Sequence, residues 1–188
     1  MKLIEKNWVT AGYRSFSLEG PNGLIIERLS RTTGKNKSSF YHFFADVTIF
    51  TDVLLDFHLK QVALLAEKES KCRNLEEFIS ILTEHRTDLL FNRQLRIYRS
   101  NTSFESCFSK SYEIALPSML PIWALVIGLT ENSRLAEMVL RLSIENFYLQ
   151  ITPENLNPEW LYAYFDSIKK MVEGFKQGSM TPRLDGSV

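Results

Sequence analysis

Apolar residues along this chain recur at intervals of three and four rather than two, and the few glycines and prolines, 8 and 6, fall between such stretches. The pattern predicts an all-α protein. Ile4, Trp8, Ala11 and Phe16 make one stripe of a first helix, which the Gly20-Pro21-Asn22-Gly23 cluster stops. A second, short helix is predicted from about Leu24 to Thr32 with Ile26 and Leu29 inward. Thr33-Gly34-Lys35-Asn36 then breaks the pattern before a third helix from Lys37 to Phe43. Asp46 is placed to cap a long fourth helix. Its Phe50, Val53, Leu54, Phe57, Gln61 and Leu65 lie on or near one face, His58 is expected to be half exposed, and the helix ends in the charged stretch Glu67 to Arg73. Further helices are predicted at about 75–90, 92–100, 102–115, 118–129, 132–150 and 158–176. The last is well marked: Asn157 suits the N-cap, Pro158 the first helical position, and Glu159 the positive end of the helix dipole.

A chain of 188 residues with 45% hydrophobic content can bury a sizeable core. It shows no run of about 18 apolar residues and no apolar leader with a cleavage site, so the expected location is cytoplasmic, with no membrane contact. Cys72 and Cys107 lack the paired spacing of a zinc site or a disulfide framework and are read as reduced thiols of the core, with no metal. Net charge is zero, but its distribution is uneven. Residues 1–45 hold Lys2, Lys6, Arg14, Arg28, Arg31, Lys35 and Lys37 against Glu5, Glu19 and Glu27, a net of +4 that leaves −4 on the remainder. A basic head on an acidic body fits a polyanionic partner at one end.

Two short helices joined by a tight turn at Gly34 form a unit able to lay its second helix in the DNA major groove. The run Gly34-Lys35-Asn36-Lys37-Ser38-Ser39-Phe40-Tyr41-His42-Phe43-Phe44 gives that unit a more specific identity, because it resembles the recognition segment of the TetR family of regulators. The register extends upstream without a gap. Trp8, Val9, Ala11, Gly12 and Phe16 match the family's first-helix core, Gly20 its helix-ending glycine, and Ile26, Leu29 and Ser30 its second-helix core; Phe50 matches the first core position of the fourth helix. The resemblance covers about the first 55 residues.

It implies a three-helix, homeodomain-like helix-turn-helix domain in residues 1–45, a helical ligand-binding and dimerisation domain in 46–178, and a flexible tail in 179–188. It also implies a ligand-responsive repressor that acts as a homodimer on a palindromic double-stranded DNA operator. Lys37 is expected at a phosphate, and Tyr41 with its ring on the core and its hydroxyl toward the DNA backbone. Lys35, Asn36, Ser38, Ser39 and His42 are expected on the turn and exposed face, where base edges are read. Two departures remove phosphate contacts: Leu24 and Ile25 stand where the family has hydroxyl residues, and Val47 where it has a lysine.

In the body, Leu161, Tyr164, Phe165, Ile168, Met171, Val172 and Phe175 recur at near-heptad spacing, with Leu135, Val139, Leu142 and Asn146 on the preceding helix. On pattern alone, packing within one chain and dimerisation are equally good readings. The two-fold symmetry of helix-turn-helix binding favours a dimer interface built on Leu135, Val139, Leu142, Leu161, Tyr164, Phe165, Ile168 and Val172. Phe78, Phe104, Phe108, Tyr112, Met119 and Trp123 are the residue types that line apolar pockets between helices and suggest a site for an apolar or amphipathic small-molecule effector. Arg86, Arg93 or Glu113 could anchor its polar end. No cofactor is implied. His42, His58 and His85 fall in no catalytic or metal-binding motif, so no enzyme is expected. A rival reading is a protein of the same fold that has lost DNA binding and holds a lipid or a protein partner, which Leu24, Ile25 and Val47 favour.

Overall fold

The computed structural model describes residues 3–178 of the chain; Lys2 and the expected tail at 179–188 lie outside the described residues. Every regular element among them is helical, as the spacing of apolar positions predicts. The order is α1 (Leu3–Glu19), a 3-10 turn (Gly20–Gly23), α2 (Ile26–Thr33), α3 (Lys37–Phe43), α4 (Val47–Glu69), α5 (Leu75–Glu84), α6 (Arg86–Ile97), α7 (Thr102–Val126), α8 (Ser133–Gln150) and α9 (Pro158–Gly178).

Local chemistry sets the boundaries of the first helices. Gly34 ends α2 in the left-handed conformation (φ 66°), and the Lys35 N–H returns to the Ser30 carbonyl at 3.2 Å, closing the free end of the helix. Two residues on, Asn36 starts α3 by accepting the Ser39 N–H at 2.9 Å, and Asp46 does the same for α4 through the Ile49 N–H at 2.9 Å. The turn between α2 and α3 is thus set by two backbone-directed contacts within residues 30–39.

An aromatic cluster locks these helices onto α1 and α4. Phe40 is fully buried with Trp8, Phe44 and Phe50 around it at centroid distances of 5.3, 5.1 and 5.1 Å. The Trp8 indole also donates to Ser39 Oγ at 3.0 Å. Ile4 departs from its expected place in this stripe: it is 41% exposed. The same core continues into the body, where Phe91 of α6 stacks on Tyr13 at 4.5 Å and on Phe16 at 4.4 Å.

Three expected boundaries differ, the first being the break between 90 and 92, which is absent because α6 runs through Phe91. The helix expected over 75–90 breaks at His85, which caps α5 and begins α6, and the turn brings His85 Nδ1 to 2.8 Å from Asp88 Oδ2. The break expected between 115 and 118 is absent, since α7 runs through both Pro117 and Pro121. The two prolines are exposed and four residues apart, and the carbonyls they deprive of a donor, those of Glu113 and Pro117, belong to exposed residues that water can serve.

The close approach of α1 to α4 rests on Gly12. A Cβ there would lie 2.4 Å from the Phe50 ring, which is fully buried and cannot retreat. Gly12→Ala gains roughly 1 kcal/mol of helix propensity, yet overpacking of this kind costs about 1–3 kcal/mol. Net loss of stability is expected, read as a lower melting temperature.

Candidate nucleic-acid interface and the cavity behind it

With Phe40 and Phe44 turned inward, Lys37, Ser38, Tyr41 and His42 form the outward face of α3, and all four are exposed. Tyr41 stands edge-on to Phe40 at 5.3 Å and is 56% exposed, so its hydroxyl is free to reach outward. The other three residues expected at DNA are partly committed elsewhere. Asn36 Oδ1 holds the cap of α3, Ser39 Oγ accepts from Trp8, and the Lys35 carbonyl accepts from the Ser30 hydroxyl. Lys37 forms an exposed ion pair with Glu27 of α2, which lowers the Glu27 pKa. Of the departures from the family pattern, Leu24 is buried, whereas Ile25 and Val47 are exposed.

Behind α4 lies a cavity of about 70 Å³, several times the roughly 10–15 Å³ that one water requires. Phe78, Phe108, Tyr112, Met119 and Trp123 line it, as the sequence suggests. Phe104 does not: it packs edge-on to Phe16 at 5.5 Å, in the core that joins the head to the body. Arg86, Arg93 and Glu113 are not among the lining residues either. The polar lining is supplied by Glu69, Asn92, Ser111 and Ser143, together with the hydroxyl-bearing Tyr112, Tyr148 and Tyr164. Glu69 is 2% exposed, and its Oε2 has no hydrogen-bond partner. Burial pushes its pKa up to about 8. The sequence pattern does not single out Glu69, which falls in the charged stretch 67–73 expected to end α4. A signal for its burial is present all the same, because residues 58, 62, 65 and 69 continue the buried stripe of α4.

A buried polar chain runs from this cavity to α1, and it begins with a correction. His58, expected to be half exposed, is fully buried. Tyr13 Oη donates to Asp88 Oδ1 at 2.6 Å and lies 2.7 Å from His58 Nδ1. His58 Nε2 is 3.0 Å from the Asn92 amide, whose other end is 3.2 Å from the Tyr148 hydroxyl. Burial holds the His58 pKa down to about 4, so the ring is neutral and carries one N–H. With Asn92 Oδ1 facing His58 and Nδ2 donating to Tyr148, the ring would need a proton on both nitrogens. A neutral ring satisfies the chain when the amide is turned over, so that Asn92 donates to Nε2 and His58 donates through Nδ1 to the Tyr13 oxygen. Asn92 and Tyr148 themselves line the cavity.

The residues expected at a dimer interface divide into two groups. Leu161, Tyr164, Phe165 and Val172 are buried within their own chain; Tyr164 and Phe165 line the cavity, and the Tyr164 hydroxyl donates to the Ser143 carbonyl at 2.8 Å. Their near-heptad spacing therefore reports packing inside one chain. Val139 and Ile168 are half buried, while Leu135 and Leu142 are exposed. Met138 and Leu149 extend the α8 pair into a stripe at 135, 138, 142 and 149, with Leu142 at 76% and Leu149 at 68% exposure. Met171 of α9 is exposed as well.

No family model and no curated protein matches this sequence. Among solved structures, it is similar to a protein from Mesorhizobium loti provisionally assigned as a TetR-family transcriptional regulator, with a TM-score of 0.51 and 12% identity over 92% of this chain and 96% of that one. The chain has the fold of a TetR-family regulator. This TetR-like fold is all-helical, as the sequence predicts. No helix among the described residues is long and apolar enough to cross a membrane, and no cluster of potential metal ligands occurs among them.

Two measurements check the buried groups. Tyr13→Phe leaves Asp88 and His58 each short of a partner and should cost about 1–3 kcal/mol in chemical denaturation. For Glu69, the folded pKa of about 8 lies above the ordinary 4.5, so the folded state resists losing the proton and stability falls as pH rises between those values. Glu69→Gln should match the parent's melting temperature near pH 4 and exceed it increasingly toward pH 8.

Proposed function

We propose that this protein is a DNA-binding transcriptional regulator, a ligand-responsive repressor that acts as a homodimer on a palindromic operator. The outward face of α3 carries the proposal: Lys37, Ser38, Tyr41 and His42 project from a helix whose opposite side is locked by Phe40 and Phe44. A rigid helix presenting a cation, hydroxyls and an imidazole has the groups needed for phosphates and base edges. In this reading residues 1–45 bind DNA and residues 46–178 sense a ligand and dimerise. Two copies join through the exposed stripe of α8 at Leu135, Met138, Leu142 and Leu149 and set their α3 helices about 34–36 Å apart, one turn of DNA. The Lys37–Glu27 pair opens as Lys37 moves onto a phosphate.

Ligand response follows two physical connections. Helix α4 carries Phe50 in the core under α3 at one end and Val62, Leu65 and Glu69 in the cavity at the other. The chain Tyr148–Asn92–His58–Tyr13 links the cavity wall to α1. An effector that binds better to one arrangement of these groups shifts the α3 separation, and both half-sites can no longer be engaged together. A second reading, a protein of this fold without DNA binding that holds a lipid or a protein partner, is favoured by exposed Ile25 and Val47.

Selection of genomic DNA fragments by the purified protein at moderate salt distinguishes the two. Enrichment of a palindrome is expected; no enrichment even at low salt, for a folded dimer, would favour the second reading. Lys37→Ala should weaken binding to all sequences and reduce the salt slope by about one per engaged lysine, while Ser38→Ala or His42→Ala should change which sequence is preferred. An unchanged affinity and slope for Lys37→Ala would refute the docking proposed for α3.

A further inference from the structure

We propose that the cavity behind α4 takes an organic cation, an ammonium carrying an apolar or aromatic substituent, with the Glu69 carboxylate as its counter-charge. The inference rests on the reading of the body as an effector-binding domain and names the class of effector.

A carboxyl group buried without a hydrogen bond is costly, and the structure offers Glu69 no internal remedy. Among the described residues its Oε2 has no hydrogen-bond partner, and no lysine, arginine or histidine lines the cavity. Two arginines that pack against its lining residues are held outside it. Arg96 lies 5.0 Å from the Phe108 centroid and pairs with Glu105 and Glu145, while Arg141 lies 5.3 Å from the Tyr112 centroid and pairs with Glu137. They line a separate cleft with the same two aromatic residues, and their charge is already balanced there. Glu69 is also the last residue of α4, where the helix dipole is negative and disfavours a carboxylate. A cation in the cavity would complement the carboxylate and the helix end together.

The rest of the lining selects the same chemistry. Aromatic rings dominate it, and the negative faces of such rings attract cations in a site shielded from water. Tyr112 adds a buried hydroxyl that has no partner and can accept an ammonium N–H. A carboxylate ligand could accept a hydrogen bond from protonated Glu69, but its own charge would be buried with no basic group in the lining to offset it. A neutral ligand could accept a hydrogen bond from protonated Glu69, but would use neither the ring faces nor the helix end.

The test is fluorescence titration of the full-length protein, read through Trp123 in the cavity wall, with phenethylammonium, 2-phenylethanol and 3-phenylpropanoate, probes that share a phenylalkyl skeleton and differ in charge. The cation is expected to bind at least about tenfold tighter than the alcohol, the scale of a charge-assisted contact, and the carboxylate not to saturate. Binding of the cation should tighten as pH rises from 6 to 8, because Glu69 must give up its proton. The groups that sense its charge, Cys72 and Tyr148, both have raised pKa values and stay neutral over that range. Glu69→Gln should abolish the preference for the cation and its pH dependence while retaining the alcohol. Equal affinity for alcohol and cation in the parent protein, or undiminished cation affinity in Glu69→Gln, would overturn the proposal; the parent comparison alone decides if the variant does not fold. Cation binding by a protein that enriches no DNA would leave this site standing and overturn the regulator reading instead.

Discussion

The Tyr13 hydroxyl, 2.6 Å from Asp88 and 2.7 Å from His58, lies where α1, α4 and α6 meet, and the relative placement of head and body depends on it. Phe91 covers the junction, stacked on Tyr13 at 4.5 Å and on His58 at 4.4 Å, and Tyr13, His58 and Asp88 are all buried. In such surroundings a hydrogen-bond chain is satisfied as a whole or not at all. The neutral His58 ring has one proton to give, Asp88 takes the one from Tyr13, and the orientation of Asn92 follows. Apolar packing alone would tolerate small slips of α1 along α6. The polar chain does not, because a displacement of about an ångström would break several buried bonds together.

This rigidity bears on α4. Twenty-three helical residues span about 35 Å, with Phe50 fixed between Phe40 and Phe44 at one end and Glu69 in the cavity at the other. His58, midway along it, ties the helix to α1 and α6. A shift at the cavity end therefore has a pivot rather than a free hinge, and the displacement reappears beneath α3. Close-packed cores pass strain on in this way because they have little compressible space. Coupling between cavity and DNA face, on the proposed reading, needs no feature beyond this helix and its pivot.

How much of this the sequence discloses depends on the range of the interaction involved. Gly34, Asn36, Asp46 and Asn157 act on backbone groups within five residues of themselves, and each is legible as a turn or cap. The TetR-like head is legible for the same reason, as a dense local register of core and turn positions. The burial of His58 is not, since its partners stand 45 residues before it and 34 after it, and no local pattern distinguishes a satisfied histidine from a solvated one. The continuity of α7 was hidden because proline is a strong local breaker, and its tolerance depends on both rings facing water, a tertiary fact. On α9, Leu161, Phe165 and Val172 obey the spacing of an interhelical seam, but spacing cannot say whether the partner helix belongs to the same chain.

The charge of the head shows why the α3 face is better judged from its geometry than from its sum. The ion pairs of residues 1–45, Arg28 on Glu19 at 2.8 Å and Lys37 on Glu27, are already counted in the net of +4, so that sum does not say which cations are engaged. Both pairs are substantially exposed, and exposed ion pairs contribute little to stability. Lys37 is accordingly held in place without being trapped, poised on the outward side of α3 and released at small cost when a stronger anion arrives. A phosphate, fixed beside its neighbours along a duplex and able to shed condensed counterions, is such an anion. Ile25 and Val47 have no comparable freedom, because no rearrangement turns an apolar side chain into a phosphate ligand. On the proposed reading, the affinity of this face for DNA is set by the few cations that can be freed, and less by the net charge that surrounds them.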